Sequence, residues 1–319
     1  MNAVKFASII VTYRCNARCH MCNTWQYPSR REDEIGLSVY EKLPFMATVN
    51  VTGGEPFVRE DLDDLISVLR KKTKRLVISS NGYFTDRIIK LVERHKDIGI
   101  RISLEGLPKA NDELRGIKNG FDHGMRSLIE LHRRGFRDIG FGITVSDRNA
   151  KDLLELYELS RMLGFEFATA AVHNAFYFHK FDNSVNQPLE VIAEFEKLIA
   201  KLLRSPRIKD WFRAYFNYGL VNYIKGNPRL LPCEMGTDSF FLDPVGDIYP
   251  CNVMDACLGN LKERTFDEIW TSAEADKIRQ NVRSCTKNCW MIGSVSQQMK
   301  KNLWTPAKWI LRNKFLRRK

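Results

Sequence analysis

The stretch Cys15-Asn16-Ala17-Arg18-Cys19-His20-Met21-Cys22 limits what this chain can fold into more than any other. Three thiols at spacings of four and three follow a short apolar run, Ser8 to Thr12. The run reads as a strand and the octad as the turn leaving it, so the thiolates are able to converge on one inorganic group. Cubane iron–sulfur clusters are held by cysteine thiolates. Three thiolates on a four-iron cube leave one iron open to a small molecule. Two plainer readings stand beside this one, spectator thiols and zinc. Zinc normally takes four ligands, with paired CxxC knuckles further along the chain. His20 as a fourth ligand would be wedged between two of the thiols.

A second stretch decides between them. The next apolar strand, Val49 to Thr52, ends in Gly53-Gly54-Glu55-Pro56. Paired glycines let a backbone turn sharply and approach a ligand closely. The proline then removes a donor and stiffens the exit. A CxxxCxxC turn followed one βα unit later by GGEP resembles the radical S-adenosylmethionine (radical SAM) superfamily. The resemblance implies that Cys15, Cys19 and Cys22 hold a [4Fe–4S] cluster whose open iron chelates the amino and carboxylate groups of S-adenosylmethionine. It also implies that Gly53, Gly54, Glu55 and Pro56 bind the methionyl amino group. Met21 stands where the family usually has an aromatic residue near adenine, one polarizable apolar group for another.

Strand-like runs recur at Ser8–Thr12, Val49–Thr52, Leu76–Ser79, Ile100–Leu104, Ile139–Val145 and Phe167–Val172. Between them lie segments of helical spacing, such as Leu62, Leu65, Ile66 and Leu69, or Leu153, Leu156, Leu159 and Leu163. Alternating strands and helices imply a parallel sheet with right-handed crossovers. Six such units fit the partial, TIM-like (β/α)6 barrel of the radical SAM family. Chemistry in βα barrels gathers at the C-terminal ends of the strands. There the resemblance assigns cofactor contacts to Asn81 in Ser79-Ser80-Asn81-Gly82, and to Ser103 and Glu105 in Ser103-Leu104-Glu105-Gly106. It gives Arg115 the cofactor carboxylate, and the Thr144-Val145-Ser146 backbone a place beside adenine. Glu105 stands where the family commonly has Asp. A plain Asn-Gly turn at Asn81 and an exposed surface arginine at Arg115 are the structural alternatives.

Beyond the sixth strand the chain turns aromatic. His173 to Phe181 forms one set; Trp211, Phe212, Tyr215, Phe216, Tyr218 and Tyr223 form another, after a helical stretch from Leu189 to Leu203. Helix packing accounts for both, and a substrate-cavity wall is the functional reading for the first. His173 and His179 offer proton acceptors, but single histidines are more often structural, and no catalytic residue is assigned.

Cys233 and Cys251 follow the pattern C-x12-G-x4-C, centred on Gly246. The apolar stretch Phe240–Leu242, a Pro-x-Gly turn and Ile248–Tyr249 read as a hairpin. Leu258-Gly259-Asn260-Leu261, a helix through Trp270 and finally Cys285 and Cys289 follow. This order resembles the C-terminal SPASM/twitch domains of radical SAM enzymes. Five cysteines cannot ligate two cubes. The expectation is one auxiliary [4Fe–4S] cluster on Cys233, Cys251, Cys285 and Cys289, with Cys257 a spectator. Structural zinc is the alternative. A fully ligated cluster cannot chelate substrate but can accept or relay an electron.

These segments divide the chain into a radical SAM (β/α)6 barrel (1–187), a helical connector (188–230), a small α+β auxiliary-cluster domain (231–290) and a basic tail (291–319). The net charge of +12 suggests nucleic acid at first sight. However, residues 291–319 carry eight Lys/Arg and no Asp/Glu, so most of the excess belongs to the tail. Leu303, Trp304, Ala307, Ile310, Leu311 and Phe315 fall on one side of a helix, interrupted by Lys314 and with Pro306 in its first turn. Lys300, Lys301, Lys308, Arg312, Arg317, Arg318 and Lys319 surround it. A basic amphipathic helix with Trp and Phe on its apolar face suits an anionic membrane surface; docking on the barrel is the alternative.

Eight cysteines in clustered spacings, no apolar run of membrane-spanning length and no signal-peptide pattern predict reduced thiols in the cytoplasm, peripheral to the inner membrane face if the tail binds there. Taken with the resemblance, the chain is expected to be a radical SAM oxidoreductase. It would cleave S-adenosylmethionine with an electron from flavodoxin or ferredoxin and abstract a substrate hydrogen. The single auxiliary cluster and the tail point to a carbohydrate or a lipid-linked substrate. A peptide maturase is the alternative, and a zinc- and nucleic-acid-binding protein the remote one. No specific nucleic acid partner is expected.

Overall fold

The computed structural model describes residues 4–316. Six strands, β1 (Val4–Ile10), β2 (Met46–Thr52), β3 (Thr73–Ser80), β4 (Gly99–Ser103), β5 (Ile139–Val145) and β6 (Glu166–Ala171), pair in parallel in chain order. The crossovers include α1 (Leu37–Tyr40), α2 (Leu62–Arg70), α3 (Thr85–Arg94), α4 (Pro108–Arg115), α5 (Gly120–Arg133) and α6 (Leu153–Leu163). Leu62, Leu65, Ile66 and Leu69, the predicted stripe of α2, are all buried. All six expected strands are present. β1 starts at Val4, earlier than the unbroken apolar run: Val4 and Ala7 are buried, while Lys5 between them is exposed and Phe6 half-buried, which breaks the run in the sequence.

The sheet does not close on itself. Its order is β6-β5-β4-β3-β2-β1-β7-β8-β9, with β7 (Ser239–Leu242) added parallel to β1. The expected hairpin, β7 with β8 (Asp247–Tyr249), forms antiparallel, and the short β9 (Gly259–Asn260) extends it. Asp243 makes the turn: its Oδ1 accepts the backbone N–H groups of Val245 (3.0 Å) and Asp247 (2.8 Å). Gly246 supplies the left-handed φ of 102°. The auxiliary region is therefore rooted in the barrel sheet.

Helices α7 (Pro188–Arg204) and α8 (Ile208–Ile224) follow β6, and α8 crosses the open side, where Thr169 of β6 donates to Asn217 at 2.9 Å. After α9 (Phe266–Trp270) and α10 (Ala273–Arg283), α11 (Ile292–Lys301) packs against β1, and α12 (Trp304–Leu311) against α8. The second aromatic set is packing: Trp309 stacks on Tyr218 at 4.9 Å, and Trp290 donates to the Phe216 carbonyl at 2.9 Å.

The tail departs from its predicted wheel. Pro306 and Ile310 are buried against the body, while Leu303, Trp304, Leu311 and Phe315 face outward. Lys314 does not interrupt the outer face but turns back, donating to the Leu203 carbonyl and lying over the Trp211 ring. Lys301 is likewise taken up, by Glu234 and Asp238. Arg317, Arg318 and Lys319 lie outside the described residues. No helix among the described residues is long and apolar enough to cross a membrane.

Candidate active site at the strand ends

The cysteine turn leaves β1 and is tied down on three sides. Arg18 and His20 donate backbone N–H groups to the carbonyls of Arg115 (3.0 Å) and Leu114 (2.7 Å) at the end of α4. Gly116, at φ 55°, allows this approach: a Cβ there would lie 2.6 Å from the Arg18 carbonyl oxygen. On the far side, Asn23 N–H donates to the Phe178 carbonyl (2.8 Å) and Thr24 to that of Tyr177 (3.2 Å). Asn81 donates to Asn16 at 2.7 Å.

The glycine turn meets the same loop. Gly54 and Glu55 donate to the carbonyls of Thr12 (2.7 Å) and Arg14 (2.9 Å). A Cβ on Gly53 would lie 2.6 Å from the Thr12 oxygen, and one on Gly54 2.4 Å from that of Arg14. Here the close approach that glycine permits is used by the chain itself.

Cys15, Cys19 and Cys22 line one cavity of about 160 Å³, together with Gly53, Gly54, Asn81, Ser103, Glu105, Arg115 and Thr144. Two of the sequence-assigned residues stand behind its wall. Pro56 begins a short 3-10 turn. The Glu55 carboxylate is fully buried and accepts from Ser80 Oγ (2.9 Å), Asn81 N–H (2.7 Å) and Phe57 N–H (3.0 Å). It clamps the glycine turn to the end of β3. Burial raises its pKa, against those three donors.

Arg115 also differs from its predicted exposed alternative. It is buried, and its Nη1 donates to Glu105 at 3.0 Å, while Thr144 N–H donates to the second Glu105 oxygen at 2.6 Å. Burial raises the Glu105 pKa and Arg115 opposes it. The Nε of Arg115, the Nε1 of Trp25 and the Nδ2 of Asn16 are buried without a partner. Arg115 and Trp25 line the cavity, and buried donors are rarely left unpaired, so their two orphans fit an occupant rich in acceptors, such as an amino-acid carboxylate. Sequence reasoning missed Trp25, while Phe178 falls within the aromatic set it read as a cavity wall. Trp25 lies three residues past the last thiol, which was the available signal.

Burial pushes Cys15 up to about 12 and raises Cys19 and Cys22 likewise. Such thiols become ligands only when metal charge repays their deprotonation. Among the described residues, no three Cys, His, Asp or Glu side chains converge as a single metal ion needs. A cube spreads its thiolates over separate irons, and three thiols around one cavity suit such a cluster.

The second group assembles behind the β7–β8 hairpin. Cys251 feels Cys289 and Cys233, and Cys289 feels Cys233 and Cys285, so the four lie within mutual electrostatic range. Cys233 and Cys285 border a broad cavity of about 1120 Å³. Burial pushes Cys251 up to about 11. Arg229 donates to the Cys289 carbonyl and reaches its Sγ at 3.9 Å. Cys257 is exposed, its thiol pointing to the Gly259 carbonyl, apart from the four.

His173 and His179 are placed differently from each other. His173 Nδ1 lies 3.1 Å from the Ala171 carbonyl and its Nε2 is buried without a partner; His179 stacks on Tyr27 at 4.4 Å. Of the first aromatic set, Phe178 lines the cavity of the three thiols, while Phe176 packs on Tyr249 at 4.7 Å.

A parallel six-stranded partial barrel with three thiols at its strand ends defines a class, and comparison with known proteins gives the same one. The profile of the radical SAM superfamily matches residues 9–160, and that of the iron–sulfur cluster-binding SPASM domain residues 233–291. The chain belongs to the radical SAM superfamily and carries a C-terminal SPASM domain. It accordingly binds a [4Fe–4S] cluster, S-adenosylmethionine and auxiliary iron–sulfur chemistry. Fe-coproporphyrin III synthase of Methanosarcina barkeri is 26% identical over 311 residues, covering 86% of this chain and 75% of that one. The sporulation killing factor maturation protein SkfB of Bacillus subtilis is 24% identical over 298 residues, covering 89% and 68%. Native anSMEcpe with bound AdoMet shares the fold, with a TM-score of 0.65 at 16% identity over 96% of this chain and 98% of that one.

Proposed function

We propose that this chain oxidatively modifies a peptide side chain by radical chemistry. In this reading Cys15, Cys19 and Cys22 would hold the first cluster and Cys233, Cys251, Cys285 and Cys289 one auxiliary cluster. Bound there, the first cluster and S-adenosylmethionine would supply radical hydrogen abstraction, driven by one electron from the external donor, and the auxiliary cluster would supply a one-electron acceptor. The glycine turn receives the methionyl amino group on its backbone, and the orphaned Arg115 and Trp25 donors face the carboxylate end. Glu55 and Pro56 shape the turn without touching the ligand. The division of labour follows the barrel (1–187), connector (188–230), auxiliary domain (231–290) and tail (291–319), with flavodoxin or ferredoxin as electron donor.

The relatives carry the substrate choice. SkfB is by name the maturation protein of a sporulation killing factor, and the mycofactocin maturase MftC is 27% identical over 83% of this chain. A peptide would reach the thiols by inserting one side chain through the adjoining cavity, which shares Met21 and Thr144 with the space at the three thiols. The expected carbohydrate or lipid-linked substrate finds no support in the relatives. It stays as a second reading on one observation, the outward apolar and basic face of α12. Anaerobic assays for 5′-deoxyadenosine with peptide, lipid and aqueous fractions of a host extract separate the two. Stimulation by the peptide fraction alone is expected; stimulation by the lipid fraction alone overturns the peptide reading.

A further inference from the structure

A larger cavity, about 590 Å³, lies at the opposite end of the barrel from the cysteines. It is bounded by the N-terminal half of β6, by α7 and α8, and by α11. The site described above has no use for it. Its floor is buried and apolar, made of Phe167, Leu202, Phe216 and Met299. Asn217 is the polar group there, and both ends of its amide are satisfied, by Thr169 and by the Arg213 carbonyl. None of the buried unpartnered polar atoms among the described residues belongs to a lining residue. The floor therefore asks for an apolar occupant, and the volume lies within the range of ligand pockets.

The mouth has another character. Ile292 and Leu303 line it with more than half of their surface in water, 60% and 55%. Around them stand five cations, Arg75, Arg101, Lys209, Arg213 and Lys300, against one lining carboxylate, Glu166. Arg75 and Arg101 share Asp138, and Lys209 and Arg213 share Glu166. Lys300 has no partner among the described residues. An apolar floor beneath a cationic rim is complementary to a molecule with a long apolar chain and an anionic head.

The rim continues onto α12. Trp304, Lys308 and Leu311 fall at helical spacings of four and three and face outward, Trp304 with 74% of its surface exposed, and Phe315 in the turn after α12 is also exposed while meeting the Trp211 ring edge-on. Leu303 belongs both to this surface and to the cavity mouth. Trp and Leu on an outward helix face, interspersed with Lys308 and Arg312, which have no partner among the described residues, and free of acidic residues, suit an anionic bilayer surface.

We propose that this cavity takes the acyl chain of an anionic membrane lipid, its head at Lys300, while the outer face of α12 rests on the bilayer that supplies it. The lipid anchors the enzyme and is not the reacting group, since it enters at the end of the strands remote from the thiols. The inference stands whichever substrate reading holds.

Two arms test it on the full chain with clusters intact. In the first, cis-parinaric acid, an anionic fluorescent acyl chain, is titrated into the protein. Saturable binding of one molecule per chain is expected, weaker by at least tenfold in Ala168→Phe, which fills the cavity, and severalfold in Lys300→Glu. Its methyl ester should bind severalfold more weakly than the acid. Leu303→Glu, at the exposed mouth, gives the same test if Ala168→Phe does not fold. In the second arm, vesicles of phosphatidylglycerol and of phosphatidylcholine are sedimented with the protein. Co-sedimentation with the anionic vesicles only is expected, lost in Trp304→Ala/Leu311→Ala. Absent or unsaturable parinaric acid binding overturns the cavity, as does equal binding by the filled variant. Equal binding of the ester overturns the anionic head, and fatty acid binding without vesicle binding overturns the bilayer as its source.

Discussion

Glu105 and Arg115 illustrate how much one buried pair can be asked to do. The carboxylate joins the ends of β4 and β5 through Thr144, and the guanidinium joins them to the end of α4, on which the cysteine turn rests. Removing one member of a buried ion pair typically costs about 3–5 kcal/mol, because the other charge is left unpaired. Arg115→Met should lose stability of that order in anaerobic chemical denaturation, and adding Glu105→Gln should restore part of it. An unchanged midpoint for Arg115→Met would remove the pair from this structural role. Asp243 makes a pH-dependent contribution. Burial beside Asp247 pushes it up to about 7, so the folded chain holds that proton more tightly than the unfolded chain. Stability from this group therefore rises as pH falls from about 7 towards the ordinary Asp value of about 4, by at most about 1.4 kcal/mol per pH unit. Asp243→Asn should remove that slope, as read by unfolding at pH 5.5 and pH 8.

At the scale of elements, a glycine couples the auxiliary cysteines to the barrel. Gly219 lies in the middle of α8, and a Cβ there would sit 2.0 Å from the Trp290 ring. Trp290 directly follows Cys289 and is nearly fully buried. Gly219→Ala must displace the indole and with it Cys289. Reconstituted variant protein should lose about half of its iron, from the auxiliary site, while keeping the cluster of Cys15, Cys19 and Cys22. Full iron content by elemental analysis would contradict this coupling. Gly219 carried no signal in the sequence, since its partner lies far along the chain. The six βα units were legible because alternating Val/Ile runs and helical stripes are local patterns. The tail was only half legible: periodicity alone grouped Ile310 with Trp304, and Tyr218, the ring on which Trp309 stacks, fixed which side turned inward. The GGEP turn was readable as a motif, yet Glu55 proved to be spent on Ser80, Asn81 and Phe57, contacts that only the folded sheet creates.

Over the whole molecule, one nine-stranded sheet carries both cysteine groups, with β7 extending the barrel at β1. Cys233 precedes β7, and Cys251, Cys285 and Cys289 follow β8 on that extension, so the proposed electron acceptor would be held by the same framework as the cofactor site. The four-cysteine set predicts about eight irons and eight sulfides per chain for two cubes, and about half of each when Cys233, Cys251, Cys285 and Cys289 are replaced together by Ala. The most direct test of the radical SAM account is the formation of 5′-deoxyadenosine. Anaerobically reconstituted protein, given S-adenosylmethionine and dithionite, should release it together with methionine, and Cys19→Ala should release none. Protein with both clusters intact that forms no 5′-deoxyadenosine, with or without host extract, would contradict the account, as would undiminished formation by Cys19→Ala.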